Sequence, residues 1–306
     1  MKICVAVTTY NSSQYVIETL ESVFNQSHQE IELIISDDFS TDNTIEVVES
    51  WIDRTDVKKR FDSIQLLKVT KNTGISANCN RMLKACQSEY IKMIAGDDIL
   101  FPKCLEENLN FVLENPKANI IFSKVEVYKN DFQKINLIRV SPDVFPVQFM
   151  GEEISAESQF KMLLVSDRIK FTPSFFFKKE AIIKIGGYDE QNRLIEDYPM
   201  WLKLTKSGEK LYFFDKVTVG YRAHEKSLSN SGEATLFQIS YRTNFQVRKL
   251  FVFQYLSKLD IANEYFIFFL QQSFDFFGLN KKNIFSIALY KLFFFYLNPF
   301  YIIKKF

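Results

Sequence analysis

The chain contains few of the residues that mark disulfide scaffolds and structural zinc sites. Its 306 residues include nine glycines, four cysteines and two histidines. The cysteines form no CxxC pair and no histidine stands at ligand spacing, so neither kind of site is indicated. We expect reduced thiols in a cytosolic protein, three of them buried. The four are Cys4, Cys79, Cys86 and Cys104.

Long apolar runs and a one-sided charge are also missing. No window offers the roughly 18 uninterrupted apolar residues of a membrane-spanning helix. The first eleven residues carry an apolar run too short for a signal peptide, which predicts a cytoplasmic location. The net charge is +1, and residues 1–236 are net acidic. Because the basic residues of the remainder alternate with phenylalanine, nucleic-acid binding is not expected.

Composition shifts towards the C-terminus. Residues 237–306 contain nine lysines and arginines against three acidic residues, and sixteen of the 32 phenylalanines. This shift predicts a boundary near residue 230 and a helical region over 231–306. Three interpretations stay open for that region: packing on the rest of the chain, pairing with a second subunit, or peripheral contact with the cytoplasmic face of the inner membrane. Lys291 and the Asn298-Pro299 break argue against a spanning helix.

Strand and helix patterns alternate over the first hundred residues. This rhythm indicates βαβ units and therefore a mostly parallel, Rossmann-like α/β sheet with helices on both faces. Ser12 or Ser13, and Thr41 or Asp42, are expected to cap the first two helices. Further along, residues 195–208 predict a helix and 210–229 a strand pair. The strands are expected at 2–9, 31–36, 64–69 and 90–95, and the helices at 12–26, 41–52 and 75–86.

Two of the predicted strands end in paired aspartates, in "IISDDFS" and "MIAGDDILF". Ligands bind at the carboxyl ends of parallel strands, so these acids fall where a site is expected. Each pair is either a turn and helix cap or one contributor to an Mg²⁺ or Mn²⁺ site. "IEDYP" adds Glu196 and Asp197, and "YRAHEKSLS" adds His224, which is either solvated or a ligand.

The ordered set of motifs resembles family 2 glycosyltransferases of the GT-A fold. The segments are "VAVTTYNSSQYVIETLESVFNQS", "IELIISDDFSTDNT", "NTGISANCNRML", "YIKMIAGDDILFP", "IGGYDE", "IEDYPMWL" and "YRAHEKSLS". Together they cover about residues 2–229. The resemblance implies a catalytic domain over 1–230, with a nucleotide-binding half at 1–100 and an acceptor half at 101–230.

The resemblance also implies roles for individual residues. Thr8 and Tyr10 match residues that flank the nucleotide base, Asp38 the acceptor of a uracil hydrogen bond, and Asp97 a residue near the ribose and diphosphate. Asp98 and His224 match the metal site, and Asp197 the catalytic base. Candidates around the donor and acceptor sugars are Asn80, Thr172, Ser174, Glu196 and Trp201.

Two positions depart from the family pattern. Many members carry a D-x-D-D sequence where this chain has Ala95 followed by Gly96, Asp97 and Asp98, so one carboxylate fewer is expected at the metal. Cys79 stands where an arginine often precedes the asparagine matched by Asn80.

By resemblance, the expected activity is inverting sugar transfer from a UDP-sugar to a hydroxyl of a glycan or lipid-linked glycan, assisted by Mn²⁺ or Mg²⁺, in bacterial surface polysaccharide assembly. Two alternatives stay open. A sugar-phosphate nucleotidyltransferase would need a glycine-rich basic loop after the first strand, which "TTYNSSQ" does not supply. The second alternative is a non-catalytic carbohydrate-binding protein on the same fold. The joint presence of Asp38, Asp98, Asp197 and His224 argues against it, because such a protein does not need these side chains.

Overall fold

The computed structural model describes residues 1–224, 235–237 and 241–300. The chain divides into two units, Met1–His224 and Glu225–Phe306. The predicted boundary near residue 230 lies outside the described residues, as do positions 225–229 of the last motif and 301–306.

One β-sheet organises the first unit. Within the described residues it has nine strands, in the order β3-β2-β1-β4-β8-β6-β9-β5, with β7 beside β6. The strands are β1 (Ile3–Thr9), β2 (Ile31–Asp37), β3 (Ser63–Lys68), β4 (Tyr90–Ala95), β5 (Ile99–Leu100), β6 (Ile120–Lys129), β7 (Leu137–Ser141), β8 (Phe176–Lys178) and β9 (Leu211–Ala223).

The half of the sheet built from β3, β2, β1 and β4 is parallel throughout. All residues of β2 are buried and β1 is nearly so, as expected for strands covered on both faces. Thr9 lies opposite Asp37, and Thr8 lies opposite Ala95, so the ends of three strands meet at one edge. Beyond β4 the pairing is mixed: β8 is antiparallel to β4 and β6, whereas β6 and β9 are parallel. The α/β class and the parallel N-terminal half are confirmed.

Helices connect the strands of this unit. The predicted caps of the first two helices are displaced: Tyr15 and Asn43 occupy the cap positions without a side-chain capping bond, while Asp42 accepts from the N–H of Thr44 at 3.0 Å. The helices are α1 (Val16–Phe24), α2 (Thr44–Ile52), α3 (Thr55–Arg60), α4 (Ile75–Ala85), α5 (Cys104–Glu114), α6 (Val147–Met150), α7 (Ala156–Val165), α8 (Lys179–Lys184) and α9 (Asp197–Lys206).

The strand pair predicted over 210–229 is instead the single strand β9, at least to Ala223. The strand continues through the polar residues Asp215 and Lys216 beside β6. Register shifts near Lys124 absorb the irregularity, and Lys124 forms an ion pair with Asp215.

The second unit is helical where it is described, with α10 (Tyr241–Phe251), α11 (Lys258–Phe276), α12 (Ile284–Lys291) and a π-helical turn, Leu292–Tyr296. The predicted helical C-terminal region is therefore confirmed. Across the described parts of the chain, no helix combines the length and apolar character needed to cross a bilayer.

The four cysteines are all buried and unbridged, one more than the three predicted to be buried.

Candidate active site

Two loops are tied together at the edge where β1 and β2 end. The backbone N–H of Asn11 donates to the Ser40 hydroxyl at 2.8 Å, and the N–H of Thr41 donates to the Asn11 side chain at 2.8 Å. Asn11 and Phe39 both have positive φ, 51° and 71°. For a bulky residue such as Phe39 this conformation is strained, so the surrounding bonds must hold it in place.

The two aspartates at the end of β2 accept hydrogen bonds from different parts of the chain. Asp37 accepts from the Thr9 hydroxyl at 2.9 Å and from the Ser40 N–H at 2.8 Å, which fixes the turn. Asp38 accepts from the N–H groups of Thr73 and Gly74 at 3.0 and 2.7 Å. Both carboxylates are buried, so each anchors a loop against the sheet.

Asp38, expected to accept a hydrogen bond from uracil, is thus already engaged by the backbone of another loop. Arg81 contributes a further contact at 3.4 Å. Because a carboxylate offers about four lone-pair sites, these partners nearly fill its capacity. These bonds order residues 73 and 74, and the uracil contact of Asp38 stays a prediction.

Arg81 is a site residue that the sequence reasoning missed. Its guanidinium donates to the Ser36 hydroxyl and the Asn78 side chain, both at 2.9 Å, and to the Thr73 hydroxyl at 2.8 Å. It joins the end of β2, the first turns of α4 and the preceding loop. The available signal was its position two residues after Cys79, which stands where related chains carry an arginine.

Two exposed aromatic rings lie at this edge of the sheet. Tyr10 is 51% exposed and Phe39 is 43% exposed, and each directly follows the end of a buried strand or its aspartate pair. Thr8, the other predicted base-flanking residue, is half-buried, and its carbonyl accepts from the Gly96 N–H at 2.8 Å. Phe39 was not predicted, and its positive φ was not readable from the sequence.

The second aspartate pair, unlike the first, consists of one partly exposed and one buried carboxylate. The side chain of Asp97 is 30% exposed, and its Oδ2 lies 3.0 Å from Nε2 of His224. Asp98 is 2% exposed, and its Oδ1 accepts from the backbone N–H of Arg222 at 2.8 Å. Burial, and then the negative charge of Asp97, raise the pKa of the Asp98 carboxyl well above its usual range. His224 therefore meets Asp97, not the Asp98 with which it was grouped.

Arg222, also missed, holds this arrangement. Its guanidinium donates to the Asp97 carbonyl at 2.7 Å and also bonds Glu18 and the carbonyl of Asn130. It lies between two rings, 4.6 Å from the centroid of Tyr15 and 4.3 Å from that of Phe132. The Tyr15 ring is in turn 4.8 Å from the His224 ring. The arginine in "YRAHEKSLS" was the signal.

A third group of acids forms at the start of α9. The Thr172 hydroxyl donates to Asp197 at 3.0 Å, and the Tyr198 N–H donates to the other carboxylate oxygen at 2.7 Å. Burial raises the pKa of Asp197, and the bonds from Tyr198 and Thr172 oppose that rise. Burial, with the charge of Asp197, raises the pKa of Glu196 to about 8 and that of Asp167 to about 6. Asp167 was not predicted.

A buried lysine links this acid group to the parallel half of the sheet. Lys92, in β4, donates to the carbonyls of Pro173 and Phe175 at 2.6 and 3.3 Å, within and directly after the turn that carries Thr172. Burial lowers the pKa of Lys92 to about 8. The donor-sugar turn predicted here is therefore fixed to the strand that leads to Asp97.

Three predicted sugar-site candidates are buried: Ser174, Trp201 and Asn80. Ser174 is fully buried and bonds the N–H of Ser123 and the carbonyl of Phe171. Trp201 is 1% exposed and packs edge-on against Phe122 and Phe175.

Asn80 supports a glycine turn. Its side chain donates to the Tyr188 carbonyl and to Glu190 at 2.9 and 2.8 Å, and it accepts from the Tyr188 N–H at 2.8 Å. Gly187 has φ of 72°, and a Cβ there would lie 2.6 Å from the Asn80 oxygen.

The donor sets differ in their suitability for a divalent cation. Asp97 offers a partly exposed carboxylate oxygen, the ligand type that suits Mn²⁺ or Mg²⁺, with the imidazole nitrogen of His224 3.0 Å away. Another close group is Cys4, Glu32 and Cys86. It is fully buried, and Glu32 already accepts from the N–H groups of Gln87 and Ser88. The Cys4, Glu32 and Cys86 group therefore suits a role in holding the fold together.

The comparison with protein families is consistent with these features. The model described as "Glycosyl transferase family 2" matches residues 4–186. An uncharacterized glycosyltransferase of Rickettsia typhi is 26% identical over 233 residues, which are 75% of this chain and 66% of that protein. The chain thus spans about two thirds of that relative's length. A putative teichuronic acid biosynthesis glycosyltransferase of Bacillus subtilis is 24% identical, over 75% of this chain and 82% of its own.

Solved structures share the fold. S. aureus TarS 1-349 in complex with UDP-GlcNAc has a TM-score of 0.60 and 19% identity, over 95% of this chain and 78% of its own. A mannosyltransferase from Pyrobaculum calidifontis, in complex with GDP-Man and Mn²⁺, has a TM-score of 0.51 and 15% identity, over 82% of this chain and 61% of its own. The predicted GT-A architecture is confirmed.

Proposed function

The chain belongs to glycosyl transferase family 2, and we propose that it transfers a sugar from a UDP-sugar to a hydroxyl group of a glycan or lipid-linked glycan, with inversion at the anomeric carbon. The observation that carries the proposal is the pairing of Asp97 with His224 at the carboxyl end of β4. This edge also carries the exposed rings of Tyr10 and Phe39.

The nucleotide would bind across the ends of β1, β2 and β4. Base stacking on aromatic rings is tolerant of sequence and contributes about 1–3 kcal/mol per base. We assign this contact to Tyr10 and Phe39. We assign Thr8 to the same nucleotide-binding surface. Asp38 orders the backbone of residues 73 and 74 beside that surface.

Asp97 and His224 would hold Mn²⁺ or Mg²⁺. A bound cation supplies Lewis-acid stabilisation of the departing diphosphate. Asp98, buried behind the pair, positions Asp97 by bonding the Arg222 backbone.

Asp197 is assigned the role of general base. The acceptor oxygen attacks the anomeric carbon from the face opposite the diphosphate, and its proton passes to the Asp197 carboxylate as the bond forms. Thr172 orients that carboxylate, and its hydrogen bond opposes the rise in the Asp197 pKa that burial causes. Glu196, with its raised pKa, stays protonated beside it at neutral pH and leaves one negative charge on the pair.

Bacterial surface polysaccharide assembly is the proposed setting. Its support is the curated relatives, which include the Bacillus subtilis teichuronic acid protein and a poly(ribitol-phosphate) beta-glucosyltransferase of Bacillus spizizenii. UDP as the nucleotide is supported by the UDP-GlcNAc complex of TarS.

A thermal-shift panel of UDP-, GDP- and dTDP-sugars with and without Mn²⁺ tests the proposal, since a ligand that binds the native state raises Tm. We expect a UDP-sugar to raise Tm most, and to be hydrolysed slowly without acceptor. Stabilisation without any turnover would favour the non-catalytic binding protein instead. No stabilisation by any nucleotide sugar would overturn the proposal.

A further inference from the structure

Four large apolar side chains project at the connection between α11 and α12. Phe276 and Phe277 end α11 and are 84% and 69% exposed. Ile284 and Phe285 begin α12 and are 89% and 68% exposed. We call these four residues the aromatic tip. The ring centroids of Phe276 and Phe277 are 5.1 Å apart, and exposed apolar patches mark interaction sites.

The backbone that carries the aromatic tip is ordered by specific bonds. Gly278, with φ of 66°, terminates α11 directly after the phenylalanines. Asn280 donates to Asp275 at 2.8 Å across the turn, and the Asn283 side chain caps α12 by accepting from the Ser286 N–H at 2.8 Å. The four side chains are therefore displayed by a fixed turn.

Lysines are the main charges around the aromatic tip, and the adjacent acid, Asp275, forms an ion pair with Arg242. Lys281 and Lys282 stand between its two halves and are exposed. Asp275 is the last acidic residue of the sequence, so residues 276–306 contain five lysines and no acid. The apolar surface continues along α12 into a shallow depression that Phe285, Leu292 and Tyr296 line together with Lys291.

We propose that the aromatic tip inserts into the interfacial layer of an anionic phospholipid bilayer, with Lys281 and Lys282 against lipid phosphates. Aromatic side chains favour the membrane interface, and lysines beside them gain from the negative surface potential. The centre of a protein–protein interface is instead depleted in lysine, which argues against a second copy as occupant. The inference does not rest on the proposed sugar transfer.

Vesicle flotation of the full chain tests this directly. The probes are vesicles of phosphatidylcholine alone and of phosphatidylcholine with phosphatidylglycerol. We expect flotation with the anionic vesicles, weakened by salt because exposed charges are screened. Phe276→Ser with Phe277→Ser should abolish flotation. Lys281→Gln with Lys282→Gln should lower the anionic partition coefficient about tenfold.

Matched controls change similar residues in the first unit. Ile183→Ser alters an exposed apolar residue, and Lys103→Gln with Lys117→Gln removes two exposed charges. Both controls should float like the parent chain. Circular dichroism and Tm establish that each variant is folded, which is expected because the altered side chains are exposed.

Three outcomes overturn the proposal. One is a folded parent chain that does not float with anionic vesicles, and another is a tip variant that floats as well as the parent. The third is a homodimer, seen by light scattering without lipid, that the tip variants convert to monomer. That result would assign the aromatic tip to a second copy. UDP-sugar turnover in solution is measured alongside, so loss of membrane binding and loss of transfer are separately visible.

Discussion

Nε2 of His224 lies 3.0 Å from Oδ2 of Asp97, while the neighbouring carboxylate of Asp98 is buried against the backbone of Arg222. Two adjacent acids thus have different surroundings. The first can reach a ligand, and the second supports the turn that presents it.

Asp97→Asn should weaken Mn²⁺-supported UDP binding at least about tenfold, because it removes the carboxylate paired with the imidazole. Asp98→Asn keeps an oxygen that accepts from Arg222 and should retain most of the Mn²⁺ effect. Calorimetry with UDP, in Mn²⁺ and in EDTA, measures both. Asp143→Asn, an exposed acid outside the proposed site, is the control. If Asp98→Asn weakened Mn²⁺-supported UDP binding more than Asp97→Asn, the metal would be assigned to Asp98 instead.

Asp197→Asn should keep UDP-sugar binding and lower the transfer rate by about 10²-fold or more, since the general base is removed. Glu153→Gln, at an exposed position, should leave the rate unchanged. Full activity in Asp197→Asn would eliminate this residue as the base.

Thr172→Val should move the acidic limb of the pH–kcat profile to higher pH. The Thr172 hydroxyl lowers the pKa of Asp197, so its removal lets burial raise that pKa further. Activity should recover at alkaline pH. A uniform loss at every pH would mean that Thr172 acts only on folding or position.

The stability of the folded chain should fall as the pH rises from about 5 to 8. Glu196 has a pKa of about 8 in the fold against an ordinary value of 4.5, so the native state binds more protons than the unfolded state in this window. Asp167 acts in the same direction. Glu196→Gln should remove about 3–4 kcal/mol of this dependence, measured by urea unfolding across the window. A profile as steep as that of the parent chain would contradict the assignment.

Phe39→Gly should lower UDP affinity by about tenfold or more through loss of ring stacking, with little change in Tm, because glycine tolerates the φ of 71°. Asn130→Gly relaxes another positive-φ residue without removing a ring and serves as the control. Equal UDP affinity in Phe39→Gly and the parent would remove Phe39 from the nucleotide site.

The first four strands and their parallel pairing were readable from the sequence because apolar β-branched runs define buried strands locally. The helix starts were not. The N–H of Ser12 donates to Thr44 and the N–H of Ser13 donates to Asp42, so contacts between loops add to the local bond between Asp42 and the Thr44 N–H. Such contacts join residues about thirty positions apart, and no local pattern encodes them.

The same limit applies to the site. The positions of Asp97, Asp197 and His224 followed from motif resemblance, and the structure adds which groups touch. That Arg81 and Thr73 engage Asp38, or that Arg222 lies between two rings, depends on packing across the sheet. Burial then decides that Asp97 and not Asp98 is accessible to a ligand.

Asp38 and Phe39 are adjacent, yet they differ in how freely they can change. A substitution at Asp38 would release the backbone of residues 73 and 74 and so compromise folding. Phe39 is exposed, and exchanging its ring leaves those bonds intact. The loop therefore combines one position fixed by architecture with one open to selection, which is a route by which nucleotide preference can diverge among descendants while the scaffold persists.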